Sequence, residues 1–346
     1  AGVIGGPYCS SAFGLAQGFD YYEDQLPTKS TPSLTQIVNR LYPNLFAQPG
    51  KRRADRTNEF VFRWLDRNSS EPFFLFINYY DAHANTNPIY PYHRAFDGGF
   101  NPIRALPMQQ GAMEASVTEG ARDLGDAEKN HWVTMYDCEI LFLDSELQRL
   151  FSKLKQLGVF DNSLIVITSD HGHSYGEHHL AGHGGWLFEE AVRIPLVVRY
   201  PQGEHGGTAV PDRVSHVSIL PMILKELGMQ TPDSLVPPAP EGDELCVLEN
   251  GREWPHRWQY RYSGKDLRAL YRGPYKLVTL DGEAAELYDL ESDPRELINL
   301  IDIRRPLADS LERALDDFAE RLRPPPPETR ELDEELLKQL KSVGYM

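Results

Sequence analysis

From Ala54 to Asp66 the apolar residues Phe60, Val61, Trp64 and Leu65 fall on one face of a predicted helix. A turn at Ser69-Ser70 follows. Then comes Phe73-Phe74-Leu75-Phe76-Ile77, a continuous apolar run expected to form a buried parallel strand. The longest pattern lies mid-chain. Val133, Tyr136, Ile140, Leu143, Leu147, Leu150, Leu154 and Leu157 alternate steps of three and four, which predicts one long amphipathic helix with Gly158 as its C-terminal cap. After a turn at Asp161-Asn162-Ser163, Leu164 to Thr168 reads as the next buried strand. Val192 to Val198 reads as another, with Pro195 arguing for an edge or irregular position. Pro221 opens a predicted helix through Leu227, closed by Gly228. Helix followed by buried strand, repeated, predicts an α/β fold: a mostly parallel sheet flanked by helices. Such sheets place ligands beyond the carboxyl ends of their strands.

The pattern changes near residue 230. Thr231 to Asp243 is rich in Pro, Gly and acidic residues, as in a linker or surface loop. Short strand patterns follow at Arg268–Arg272, Tyr275–Leu280 and Glu286–Leu290, with Asp281-Gly282 at a hairpin position. A helix carrying Leu307, Leu311, Leu315, Phe318 and Leu322 on one face comes next. The expected organisation is an α/β domain over 1–230 and a small α+β subdomain with a short antiparallel sheet over 231–323. A Pro-rich exit and tail helix complete it over 324–346.

Composition narrows the function classes. Of 346 residues, 41% are hydrophobic, enough for a sizeable core. No apolar run approaches the roughly 20 residues of a membrane-spanning helix. A net charge of -16 argues against a duplex nucleic-acid partner, which demands Lys and Arg at the phosphates. The densest basic run, Lys51-Arg52-Arg53, reads as a solvated face. Cys9, Cys138 and Cys246 give neither a disulfide framework nor metal-ligand spacing. The chain begins at Ala1 with Gly-rich, uncharged residues that do not read as a signal peptide. A targeting segment would lie upstream, and a periplasmic or extracellular location would follow from one.

The chemistry gathers between residues 171 and 183, where five of the eleven histidines fall: His171, His173, His178, His179 and His183. Asp170-His171-Gly172 leaves a predicted strand at its carboxyl end. A carboxylate and an imidazole projecting from one turn suit a divalent cation; an Asp-His pair capping the next segment is the other reading. Two ligands do not complete a site, and Asp81, after the Phe73 strand, is the comparable acidic candidate. His83, two residues on, reads either as an anion contact or as an ordinary loop histidine. His183 sits in Gly182-His183-Gly184-Gly185, which allows either close backbone approach to a ligand or a flexible surface loop.

Several segments together resemble the sulfatase family of the alkaline-phosphatase superfamily. They are Asn78-Tyr79-Tyr80-Asp81-Ala82-His83, Tyr136-Asp137-Cys138-Glu139-Ile140, Phe160-Asp161-Asn162-Ser163 and Ile165 through Gly172. Gly176-Glu177-His178, Leu187 through Leu196, Glu286 through Pro294 with Asn299-Leu300, and the ending Leu340 through Tyr345 continue the match. The resemblance implies a large α/β domain followed by a small four-stranded sheet packed with a helix. It also implies hydrolysis of sulfate esters by a formylglycine made from Cys or Ser, with one divalent cation, usually Ca2+, with Mn2+ or Zn2+ as alternatives. On that pattern Asp170 and His171 are metal ligands. His83 and His183 contact the sulfate and act in catalysis, and His178 joins them in substrate binding. The expected substrate is a sulfated small molecule or a sulfated carbohydrate.

The chain also departs from the family. Its first-strand acidic pair and its Cys/Ser-x-Pro-x-Arg nucleophile motif are not in this sequence. Ser292-Asp293-Pro294-Arg295 shares letters with that motif but lies in the C-terminal signature, and Cys9 has no Pro or Arg at the needed offsets. Gly2 to Asp24 resembles the sequence that follows the nucleophile, so an N-terminally incomplete chain, inactive alone, is expected. Two alternatives stand. One is a phosphodiesterase, phosphonate ester hydrolase or phosphoglycerol transferase of the same superfamily. The other is a non-catalytic binding protein on a sulfatase-like scaffold.

Overall fold

The computed structural model describes residues 1–27, 51–83, 89–96, 107–232, 244–250, 262 and 265–321. They fall into two compact units, one within residues 1–163 and one from residue 164 onward, which also takes Thr118–Gly120. The predicted tail helix over 324–346 and most of the linker around 231–243 lie outside the described residues. No helix among the described residues is long and apolar enough to cross a membrane.

In the first unit a parallel sheet has the order β2-β1-β3, with β1 Gly2–Ile4 central, β2 Tyr22–Glu23 and β3 Phe76–Asn78. Val3 and Ile4 are fully buried. The apolar run Phe73 to Ile77, of which only Phe76 and Ile77 join β3, is less buried than its sequence predicts. Phe74 and Phe76 are exposed, because β3 pairs with β1 alone among the described strands. Two helices carry most of the remaining chain: α1 Ala54–Asn68 and, after α2 Pro107–Thr118, the long α3 Asp126–Gln156 predicted from the apolar stripe. Asn58 of α1 links them, donating from Nδ2 to the Glu146 carbonyl and to Glu146 Oε2, each at 2.9 Å.

The basic run is not a solvated face. Arg52 is only 4% exposed; its guanidinium pairs with Glu23 at 2.8 Å, donates to the Gln25 carbonyl and lies over the Phe60 ring. Pairing is what lets an arginine be buried.

Asp81 is likewise not a free acidic ligand. Its Oδ1 accepts the Ala54 N–H at 3.0 Å, capping the first turn of α1. The carboxyl is buried, and desolvation pushes its pKa up to about 6 from 3.8. A folded-state value above the unfolded one favours the folded state below the unfolded pKa. That advantage is lost as pH rises through about 6. Asp81→Asn keeps the capping oxygen and removes the titration. Between pH 5 and pH 8 the variant should gain about 1–2 kcal/mol on the parent protein in urea denaturation. A difference that does not change with pH would refute this.

In the second unit β4 Ile165–Thr168 pairs antiparallel with β7 Leu196–Arg199. β4 was expected to be buried, yet Ile165 to Ile167 are half-buried and Thr168 is exposed, because β7 is its one strand neighbour among the described residues. The segment read as a strand from Val192 to Val198 divides: Glu189–Val192 forms a one-turn helix, α4, and β7 starts only after Pro195. The helix α5 spans Ile219–Glu226, so Pro221 sits in its first turn, where its missing N–H does no harm.

The four-stranded antiparallel sheet has the order β11-β10-β9-β8, with β8 Glu244–Asn250, β9 Asp266–Arg272, β10 Tyr275–Leu280 and β11 Glu283–Asp289. Asp281 (φ 53°) and Gly282 (φ 88°) form the two-residue loop between Leu280 and Glu283, with the left-handed backbone that such hairpins need. Alternation along the strands serves both faces. Leu270, Leu277 and Leu287 pack with Leu311 and Leu315 of α6, which spans Arg305–Arg321. Leu267, Ala269, Val278 and Tyr288 pack with Leu187, Phe188 and Ala191. Lys276 shares the parity of Val278 and so enters this second face.

Candidate cation and anion site

The site starts where β4 ends. Ser169 Oγ donates to the His171 carbonyl at 2.7 Å, and Asp170 Oδ1 accepts the His171 N–H at 3.0 Å, so the turn is tied by its own side chains. His171 Nδ1 lies 2.8 Å from the Gly172 carbonyl oxygen. A carbonyl only accepts, so Nδ1 donates there, and in the neutral imidazole Nε2 is the nitrogen able to coordinate a cation. That Nε2 is 3.8 Å from Asp170 Oδ1. The Asp170 side chain is 85% exposed and that of His171 32%.

Gly172 holds the turn against α4. Its N–H donates to the Ala191 carbonyl at 2.7 Å, and a Cβ placed on it would lie 2.1 Å from the Glu190 carbonyl oxygen. No other residue type fits there without moving backbone.

β5 Ser174–Tyr175 and β6 Ala181–Gly182 pair antiparallel, Ser174 opposite Gly182. This short ladder brings His173, just before β5, near His183, just after β6. The His183 ring stacks on His171 at 4.0 Å between centroids, and His173 lies 5.8 Å from His183. His171, His173 and His183 are therefore one cluster of rings.

His178 is held differently. Its ring stacks on Phe188 at 3.7 Å, and its Nε2 is 3.8 Å from Glu190 Oε2. Burial lowers its pKa and raises that of Glu190 to about 7. The chain reaches this position through Gly176 (φ 98°), His178 (φ 50°) and His179 (φ 59°). Left-handed backbone at two non-glycine residues is costly and is held by its surroundings. His83 belongs to the first unit. Its ring stacks on Tyr80 at 4.3 Å and its N–H donates to the Tyr80 carbonyl.

A set of charged residues escaped the sequence reading. Lys276 is fully buried, 2.7 Å from Glu296 Oε1 and 3.1 Å from Glu189 Oε1. Tyr271 donates its hydroxyl to Glu189 Oε1 at 2.7 Å, and Glu296 Oε2 accepts the Glu189 N–H at 2.6 Å. His178, Glu190 and Glu296 present ligand-type atoms within 4.8 Å of one another, but Lys276 already supplies a cation at Glu296. The signal was a lysine on the apolar face of an otherwise hydrophobic strand. The same geometry disposes of Ser292 as a nucleophile. The position needing Arg is Glu296, buried against Lys276, and Asp293 Oδ2 accepts the Ile298 N–H.

The comparisons agree with this architecture. The family model described as Sulfatase matches residues 4–229. The chain belongs to the sulfatase family. A second model, described as N-sulphoglucosamine sulphohydrolase, C-terminal, matches residues 176–322. The N-acetylglucosamine-6-O-sulfatase of Bacteroides thetaiotaomicron is 30% identical over 184 residues, 48% of this chain and 31% of that protein. The multifunctional alkaline phosphatase superfamily protein PehA of Trinickia caryophylli is 28% identical over 70% of this chain and 54% of its own length. This sulfatase-family chain thus spans about half or less of these curated relatives. Among solved structures, a phosphonate monoester hydrolase from Silicibacter pomeroyi matches with a TM-score of 0.61 at 19% identity, covering 91% of this chain and 68% of that one. That likeness shows the fold, α/β with a small antiparallel sheet toward the C-terminus. A divalent metal is general in the family.

Proposed function

We propose that this chain serves hydrolysis of a sulfate monoester, with Asp170 and His171 as two of the ligands of a divalent cation. The observation that carries the reading is the preformed pair: Asp170 Oδ1 and His171 Nε2 stand 3.8 Å apart at a strand exit, with the imidazole tautomer that leaves Nε2 able to coordinate. Two ligands at right angles, each about 2.4 Å from Ca2+, would be separated by roughly 3.4 Å, so the pair fits with little movement. Mn2+ and Zn2+ are the alternatives to Ca2+. A bound divalent cation supplies positive charge against the ester oxygens.

The histidines do the rest of what this chain can do. To His183, which stacks on His171, we assign the holding of a sulfate oxygen or the passing of a proton to the leaving oxygen. His83 takes the complementary role by the family pattern. His178 joins substrate binding only from its seat on Phe188. The relatives named for N-acetylglucosamine-6-O-sulfatase and choline-sulfatase activity support a sulfated sugar or small sulfated molecule as substrate.

The test is made in an enzyme in which this chain is joined to the family's acidic pair and nucleophile segment. There Asp170→Ala should abolish cation-dependent hydrolysis of an aryl sulfate. His83→Ala and His183→Ala should each lower kcat/KM by about 10²-fold, the scale of general acid–base groups. His173→Ala and His179→Ala should matter far less. Full activity in Asp170→Ala, or equal small effects at all four histidines, sinks the proposal. Faster turnover of a phosphonate monoester than of the sulfate would favour the phosphonate hydrolase reading. No cation-dependent turnover of any ester would favour a binding protein.

A further inference from the structure

We propose that Glu189 is a positioning residue for the Asp170–His171 pair, and that the four-stranded sheet, through Lys276 and Tyr271, sets the geometry of the cation ligands. The inference rests on the cation reading above.

The mechanical path is short. Lys276 of β10 and Tyr271 of β9 both bind Glu189 Oε1, at 3.1 and 2.7 Å. Glu189 is the first residue of α4, and its N–H is fixed by Glu296 Oε2. Two residues later the Ala191 carbonyl accepts the Gly172 N–H, and the Glu190 carbonyl leaves no space for a Cβ on Gly172. Gly172 directly follows His171. The next residue of α4 faces the other way: Glu190 Oε1 accepts from Ser174 Oγ at 3.4 Å, and Ser174 Oγ in turn accepts the Trp186 Nε1–H at 3.0 Å. Adjacent glutamates on one turn therefore hold two different bodies, Glu189 the sheet and Glu190 the histidine segment. A helix of four residues has too few internal hydrogen bonds to fix its own orientation. Its orientation comes from these side chains. Close packing transmits a displacement instead of absorbing it, so loosening Glu189 shifts the turn that carries the ligands.

The probe is Mn2+, read by broadening of the His171 ring resonances as the metal is titrated into the chain, at a temperature where every variant is folded. Glu189→Gln should raise the Mn2+ concentration for half-broadening by about tenfold, the lower end of effects seen when an outer-shell partner of a metal ligand is removed. Tyr271→Phe, which deletes one hydrogen bond to the same oxygen, should raise it by about threefold, and it serves if the first variant does not fold. Leu311→Ala empties the core on the opposite face of the sheet, lowers Tm, and should leave the Mn2+ titration within twofold. Without metal, hydrogen exchange at the Gly172 amide should speed up in Glu189→Gln relative to the amides of β4. The proposal is overturned if Glu189→Gln and Tyr271→Phe leave both readouts unchanged while Asp170→Ala abolishes the broadening. It is also overturned if Leu311→Ala weakens Mn2+ binding as much as Glu189→Gln does. Broadening that survives Asp170→Ala would instead mark the failure of the cation reading itself, and Gly172 exchange would then still decide whether Glu189 holds the turn.

Discussion

Lys276→Met is expected to lower stability by about 3–5 kcal/mol, the scale of breaking a buried ion pair from one side. The side chains of Lys276 and Glu296 are both 0% exposed, and Glu189 is 18% exposed. Met fills much of the lysine's volume, so packing changes little. What changes is charge: two carboxylates remain in a desolvated place with their cation gone. Burial already raises the Glu296 pKa, and Lys276 is what opposes that rise. Without the lysine the folded-state value climbs further above the unfolded one. The variant's folded state is therefore favoured at low pH and loses stability as pH rises through the new folded value. Urea denaturation at pH 5 and pH 8 should show the larger loss at pH 8. Lys276→Met combined with Glu296→Gln should recover part of it, since less uncompensated charge is then buried. A loss under 1 kcal/mol at pH 8 would mean that the network behaves like an exposed surface pair.

Gly172→Ala should cost about 2–4 kcal/mol, combining overpacking with loss of one hydrogen bond. The added methyl would meet the Glu190 carbonyl oxygen at 2.1 Å, a backbone atom that no rotamer change can move. Either the turn after His171 or the helix α4 must shift, and the hydrogen bond from the Gly172 N–H to the Ala191 carbonyl goes with it. Mn2+ broadening at His171 should weaken together with stability. Gly158→Ala is the informative contrast. Gly158 has φ 73° and no atom within 4 Å of a placed Cβ, so its cost is conformational, about 1–2 kcal/mol, with no effect on the cation titration. Equal outcomes for the two glycines in both measurements would refute the steric argument at Gly172.

The elements that rest on short-range pattern were legible in the chain itself. The stripe from Val133 to Leu157 announced a helix because apolar residues at a period near 3.6 share one face, although the face actually buried carries Met135, Cys138, Phe142, Leu150 and Leu154, with Ile140 exposed. Asp281-Gly282 turns a hairpin because its backbone conformation is a local property. Asp170-His171-Gly172 was recognisable as a strand exit for the same reason. Only the tertiary structure decided where charge is buried. Asp81 read as a spare acid and caps a helix that begins 27 residues earlier. Arg52 read as solvated and is sealed against Glu23 and Phe60. His183 reaches His171 through a two-residue ladder too short to carry a periodicity, while His178, five residues before it, stacks on Phe188. Glu189 finds Glu296 across 107 residues. A charged side chain enters the interior only where a partner repays its desolvation, and that partner's distance along the chain obeys no local rule. The spacing of residues could therefore announce the turn that presents Asp170 and His171, whereas the buried ion pair on the four-stranded sheet became visible only once the chain was folded.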